Sequence, residues 1–103
     1  MREILWSEDA LAEFERIVAY IAHDNRSAAR RVAERIERAI EALAHMSTGR
    51  PARVAGSYEK VVSGIPYIVA HAVGPAPGGR DSITVLRIIH TATNWPEGGW
   101  PQD

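Results

Sequence analysis

Between Pro66 and His90 the chain reads PYIVAHAVGPAPGGRDSITVLRIIH, two runs rich in β-branched, aromatic and aliphatic residues held apart by glycine, proline and charge. Strand propensity and a side-chain period of two mark residues 66–73 and 82–90 as strands, and the Gly/Pro-rich residues 74–81 between them as a connection. A third run, residues 57–63 (SYEKVVS), ends at Gly64-Ile65, so the three together predict an antiparallel meander. In the middle run Tyr67, Val69, His71 and Val73 share one side and Ile68, Ala70 and Ala72 the other. In the last, Ile83, Val85 and Ile89 oppose Leu86 and Ile88. Both faces are therefore largely apolar. One helical layer covers only one of them, so the second is expected to meet a partner or to lie under the chain's own tail with Trp95 and Trp100.

Upstream of Gly49 the period changes to that of a helix. Ser7 offers a capping oxygen, Glu8 and Asp9 suit a first turn, and Leu11, Phe14, Ile17/Val18 and Ile21 form one stripe. After Asp24-Asn25, Ser27 is read as the cap of a second helix, in which Val32, Ile36, Ala39/Ile40 and Leu43 repeat the stripe until Gly49 stops it. So short a link, residues 24–26, folds the helices back as an antiparallel hairpin. Residues 2–6, with Ile4 and Trp6 on one side, read as a strand ahead of the helices. Residues 91–103, which include Pro96 and Pro101, read as an extended tail. The expectation is an α+β fold of order β-α-α-β-β-β, an antiparallel sheet packed on a two-helix hairpin, with a single domain over residues 1–96 and a C-terminal tail over 97–103.

A chain of 103 residues holds one core, and its apolar fraction of 46% suits a globular protein. The absence of cysteine removes thiolate chemistry, disulfides and cysteine-ligated zinc, and favours a reducing cytoplasm as the location. Residues 1–6 are too short for a signal-peptide core, and no apolar run approaches the ~18–20 residues of a membrane span, so no membrane role is expected. The net charge is −1, with seven Arg against nine acids in residues 1–48 and four Arg and one Lys against Glu59 and Asp81 in residues 49–96. A dedicated nucleic-acid binder is usually far more basic.

Few residues offer chemistry. His23, His45 and His71 show no metal-ligand spacing, and residues 74–79 lack the Lys-Ser/Thr and following helix of a phosphate loop, so neither metal nor cofactor is expected. Arg87 lies among aliphatic residues and must face water or be paired, with Glu59 as the candidate partner. His90, at the end of its strand, is either a general acid or base or a hydrogen-bonding cap. Arg50 and Arg53 sit in a Gly/Pro-bounded loop, where they could meet phosphates or acidic side chains.

The ordered set Gly49-Arg50, Gly56-Ser57-Tyr58-Glu59-Lys60-Val61-Val62, Ile65-Pro66-Tyr67-Ile68-Val69-Ala70, Val85-Leu86-Arg87-Ile88-Ile89-His90 and Trp95-Pro96 resembles the ParE branch of the ParE/RelE toxin superfamily. Trp6-Ser7, Ala10, Tyr20-Ile21 and Ala28-Ala29 extend the likeness over residues 2–96. The resemblance implies the same β-α-α-β-β-β order and a toxin of a type II toxin–antitoxin system. Such a toxin inhibits DNA gyrase by binding and is neutralised by a ParD-like antitoxin in a heteromeric complex, which can form higher oligomers. Target-binding residues would be Arg50, Arg53, Arg87, His90 and Trp95, and antitoxin-binding residues Leu11, Phe14, Val69 and Val85. The alternatives are a ribosome-dependent mRNA endonuclease of RelE type, with Arg87, His90 and Lys60 as its catalytic set, and a degenerate non-toxic binding module. The sequence departs from the pattern at Tyr58 and Thr91-Ala92-Thr93-Asn94, where the family commonly has basic residues. That departure weakens any activity that needs cations there.

Overall fold

Ser7 opens the helical hairpin with both ends of its hydroxyl engaged: Oγ accepts from the Ala10 amide at 3.0 Å and donates to the Leu86 carbonyl at 2.8 Å. Helix α1 (Glu8–Asp24) runs from there with Glu8 and Asp9 in its first turn, where carboxylates suit the positive end of the helix dipole. Asn25 closes it and opens α2 (Arg26–His45). Its backbone N–H donates to the Ile21 carbonyl while its Oδ1 accepts from Ala28 N at 2.9 Å. One residue thus joins the helices, and the cap of α2 is Asn25, not Ser27. Asn25 adopts the extended backbone that a cap requires, whereas Ser27 already lies inside the helix. Helix α2 ends at His45 with Met46 as its C-cap, short of Gly49.

The strands are β1 (Glu3–Trp6), β2 (Arg50–Pro51), β3 (Tyr58–Val61), β4 (Tyr67–Pro75) and β5 (Asp81–His90), in spatial order β1-β5-β4-β3-β2. This computed structural model describes residues 2–46, 49–52, 54, 56–75, 81–93 and 99–100. The meander β3-β4-β5 is antiparallel as its sequence predicts. Two features make the sheet mixed and five-stranded. β1 lies parallel to β5, from Glu3 opposite Ser82 to Trp6 opposite Val85, and the two-residue β2 extends the far edge.

A register shift corrects the face assignment. His71 pairs with Val85 and Ala70 with Arg87, so β5 carries Leu86 as an extra residue. Past that bulge Ile88, not Ile89, returns to the side of Val85. Ile88 joins Val69, Val85, Ile36, Ile40, Ala10 and Val62 in the core between sheet and hairpin, with Ile4, Trp6, Phe14 and Ile17 packed around it. The Trp6 and Phe14 rings meet edge to face at 5.4 Å. Each fully buried aliphatic side chain such as Ile36 or Leu43 contributes roughly 1.5–3 kcal/mol. On the opposite face Ile68, Ala70 and Ile89 are also buried within the chain itself, so much of the second apolar face is covered without a partner.

Candidate functional site

The bulge at Leu86 falls where β1 has ended, so the outer edge of β5 beyond Val85 has lost its neighbouring strand. Helix α1 fills that place. Ser7 N donates to Val85 O, Ser7 Oγ to Leu86 O, and the Glu13 carboxylate accepts from the Ile88 amide at 3.0 Å. Glu13 also binds Arg87: Nε approaches Oε1 and Oε2 at 3.0 and 2.9 Å, and Nη2 lies 2.8 Å from Oε2. Both side chains are largely buried, which makes this forked pair stronger than a surface ion pair. Arg87 is therefore paired with a helix residue, not with Glu59, because the end of β1 leaves α1 as its neighbour. Glu59 instead faces Arg50 across the β2–β3 pair at 3.6 Å.

Beside this pair a cleft of about 190 Å³ opens between α1 and the ends of β4 and β5, lined by Arg16, Ile17, Tyr67, Arg87, His90 and Thr93. His90 is exposed, and its Nδ1 accepts from Ala92 N at 3.0 Å, which leaves Nε2 as the protonated nitrogen of the neutral ring. Its ring stands edge-on to Tyr67 at 5.2 Å. With Thr93 N on the His90 carbonyl and Thr91 N on the Pro66 carbonyl, His90 ends its strand as a turn anchor. Burial, with Tyr20 adding to it, holds the Tyr67 phenol above its usual value of 10.0, so it is a donor and not an anionic base.

The predicted target-binding residues do not form one cluster. Arg87 and His90 share the cleft; Arg50 lies three strands away, roughly 14 Å across the sheet. Arg53 and Trp95 lie outside the described residues. Lys60 is on β3 and lines a different groove, with Arg31, Arg35 and Arg38 of α2, so Lys60 does not join Arg87 and His90. Among the antitoxin-binding residues, Leu11 is 47% exposed and Phe14 half-buried, whereas Val69 and Val85 are at 0% in the core and offer no surface. Sequence reasoning did not single out Glu13 or Arg16. Glu13 read as an ordinary polar helix position, and its partner is 74 residues away. The row Arg31, Arg35, Arg38 was visible as one helix face but was masked by acids elsewhere in the same half of the chain.

Comparisons with known proteins agree with this architecture. Residues 4–95 match the family model described as ParE toxin of type II toxin-antitoxin system, parDE. The chain is 36% identical over 97 residues to the Sinorhizobium fredii protein described as "Putative toxin Y4kP", covering 93% of this chain and 95% of that one. A solved structure described as the chromosomal ParDE TA system from P. aeruginosa shares the fold, with TM-score 0.73 and 22% identity over 87% of this chain and 96% of that chain. A small toxin of the two-helix, mixed-sheet kind is the class that the fold and these likenesses define. The chain belongs to the ParE toxin family of type II toxin–antitoxin systems.

Proposed function

We propose that this ParE-family chain inhibits DNA gyrase by binding it and is held inactive by a ParD-like antitoxin in a heteromeric complex, both in the cytoplasm. The observation that carries the reading is the Arg87–Glu13 pair. Cleavage of a phosphodiester needs a cation free to meet the phosphate, together with an acid and a base near the 2′-hydroxyl and leaving oxygen. Here the Arg87 guanidinium is clasped by a carboxylate, His90 spends one ring nitrogen on a turn, and Lys60 lies elsewhere. Binding a protein target needs none of this chemistry. The net charge of −1 and the neutral residues after His90 also favour a protein target over RNA.

The RelE-type reading has one observation in its favour: Arg16, Arg87, Tyr67 and His90 do share a cleft. The two are separated by adding the purified toxin, freed of antitoxin, to a gyrase supercoiling assay and to a ribosome-programmed mRNA cleavage assay in parallel. Lost supercoiling with intact message is expected, and His90→Ala should change it little. Cleaved message beside normal supercoiling would overturn the proposal and make Arg87 and His90 catalytic candidates.

A further inference from the structure

On one flank of α2, Arg31, Arg35 and Arg38 follow one another at four- and three-residue spacing and so stand in a row. They face Lys60 of β3 across a groove of about 530 Å³. Ala39 and Val61 supply apolar lining, and Glu34 is the one carboxylate among its described lining residues. A chain of net charge −1 thus gathers four cations around one groove. Arg35 is also held in place. Its Nη1 donates to the Ser63 carbonyl at 3.0 Å, and its guanidinium occupies the space a side chain at Gly64 would need, at a turn whose φ of +81° already favours glycine. A pre-positioned guanidinium loses little freedom when it meets a carboxylate.

We propose that this groove docks an acidic segment of a partner protein, its Asp and Glu carboxylates between Arg31, Arg35, Arg38 and Lys60. The combination favours a peptide over nucleic acid. A groove that tracks a sugar–phosphate backbone has a broad basic field and aromatic platforms for bases, whereas this one is aliphatic, contains Glu34 and belongs to a nearly neutral chain. That the segment belongs to the cognate antitoxin rests on the function proposed above.

The test uses the full chain and two probes: the protein of the adjacent reading frame, and a labelled peptide of alternating Glu and Val. Affinities are measured for the wild type, for Arg31→Glu/Lys60→Glu, and for Arg30→Glu as an exposed control outside the groove, each first shown by circular dichroism to be folded. Each reversed groove charge should weaken binding about tenfold and the pair about a hundredfold, with wild-type affinity falling as salt rises. The Arg30→Glu variant should stay within about twofold. Equal binding of the adjacent-frame protein by wild type and double variant would overturn the groove. If that protein fails to bind while the peptide binds and is lost on reversal, the groove stands and the antitoxin reading falls; if neither binds, both fall. A single-stranded oligonucleotide that binds more tightly than the peptide, and is lost on the same reversal, would overturn the proposal in favour of nucleic acid.

Discussion

Glu13 satisfies three donors at once, Arg87 Nε, Arg87 Nη2 and the Ile88 amide, at a strand edge that would otherwise face an apolar helix. Removing one member of such a pair takes from the other, largely buried charge the group that clasps it. Glu13→Gln should therefore lower stability by about 2–4 kcal/mol, read as a lower denaturant midpoint. An unchanged midpoint would show the pair to be structurally idle. Arg87→Ala should destabilise to a similar degree, so a loss of toxicity in that variant measures the fold as well as the target. The pairing could not be read from the sequence. Arg87 announced only that it needed a partner, and Glu59 was the carboxylate the strand pattern suggested; the bulge at Leu86 and the end of β1 make Glu13 its neighbour instead.

At the level of elements, local signals were legible wherever the chain answers to itself. The stripe through Val32, Ile36 and Ile40 gave α2, the β-branched runs gave the meander, and Ser7 gave the start of α1. What failed was set by non-local or single-residue geometry. The parallel pairing of β1 with β5 leaves no mark on a four-residue run, and one extra residue in β5 shifts every later side chain to the other face. Cap choice failed for a simpler reason: Asn25 and Ser27 are both good capping residues, and only the backbone shows which is extended. Asn25→Ala should cost about 1 kcal/mol, whereas Ser27→Ala should lie within about 0.5 kcal/mol of wild type, both by thermal unfolding. The reverse order would mean the hairpin turns elsewhere. The arginines of the groove show the same division. Their spacing on α2 was readable, but Lys60 comes to face them only once β3 takes its place in the sheet.

For the molecule as a whole, His71 ties stability to pH. It is buried on the helix side of the sheet, stacked on Tyr58 at 5.9 Å, with its Nδ1 3.3 Å from the Val69 carbonyl and its ring packed so closely on Gly49 that a side chain there would collide. Burial above all, with Arg2 and Lys60 nearby, holds its pKa below the usual 6.5 against the opposing pull of the Val69 carbonyl. The unfolded chain therefore takes up the proton first as pH falls. The stabilisation from a neutral His71 is complete above about 6.5 and is lost as pH drops toward the depressed value. The melting temperature should fall between about pH 7.5 and about pH 5.5 in wild type and less steeply in His71→Gln. Equal slopes would remove His71 from this role.

The adjacency of β1 and β5 carries a consequence for synthesis. Ser7 reaches Leu86 across 79 residues, and among the described residues β1 has β5 as its one neighbouring strand. While the ribosome is still making β5, the nascent chain has no place to dock β1, no carbonyl for Ser7 and no guanidinium for Glu13, so the structure closes only after residues 81–90 have been made. The helical hairpin therefore leaves the ribosome well before the strand that completes its surroundings, and for that interval its apolar stripe has no sheet to cover it.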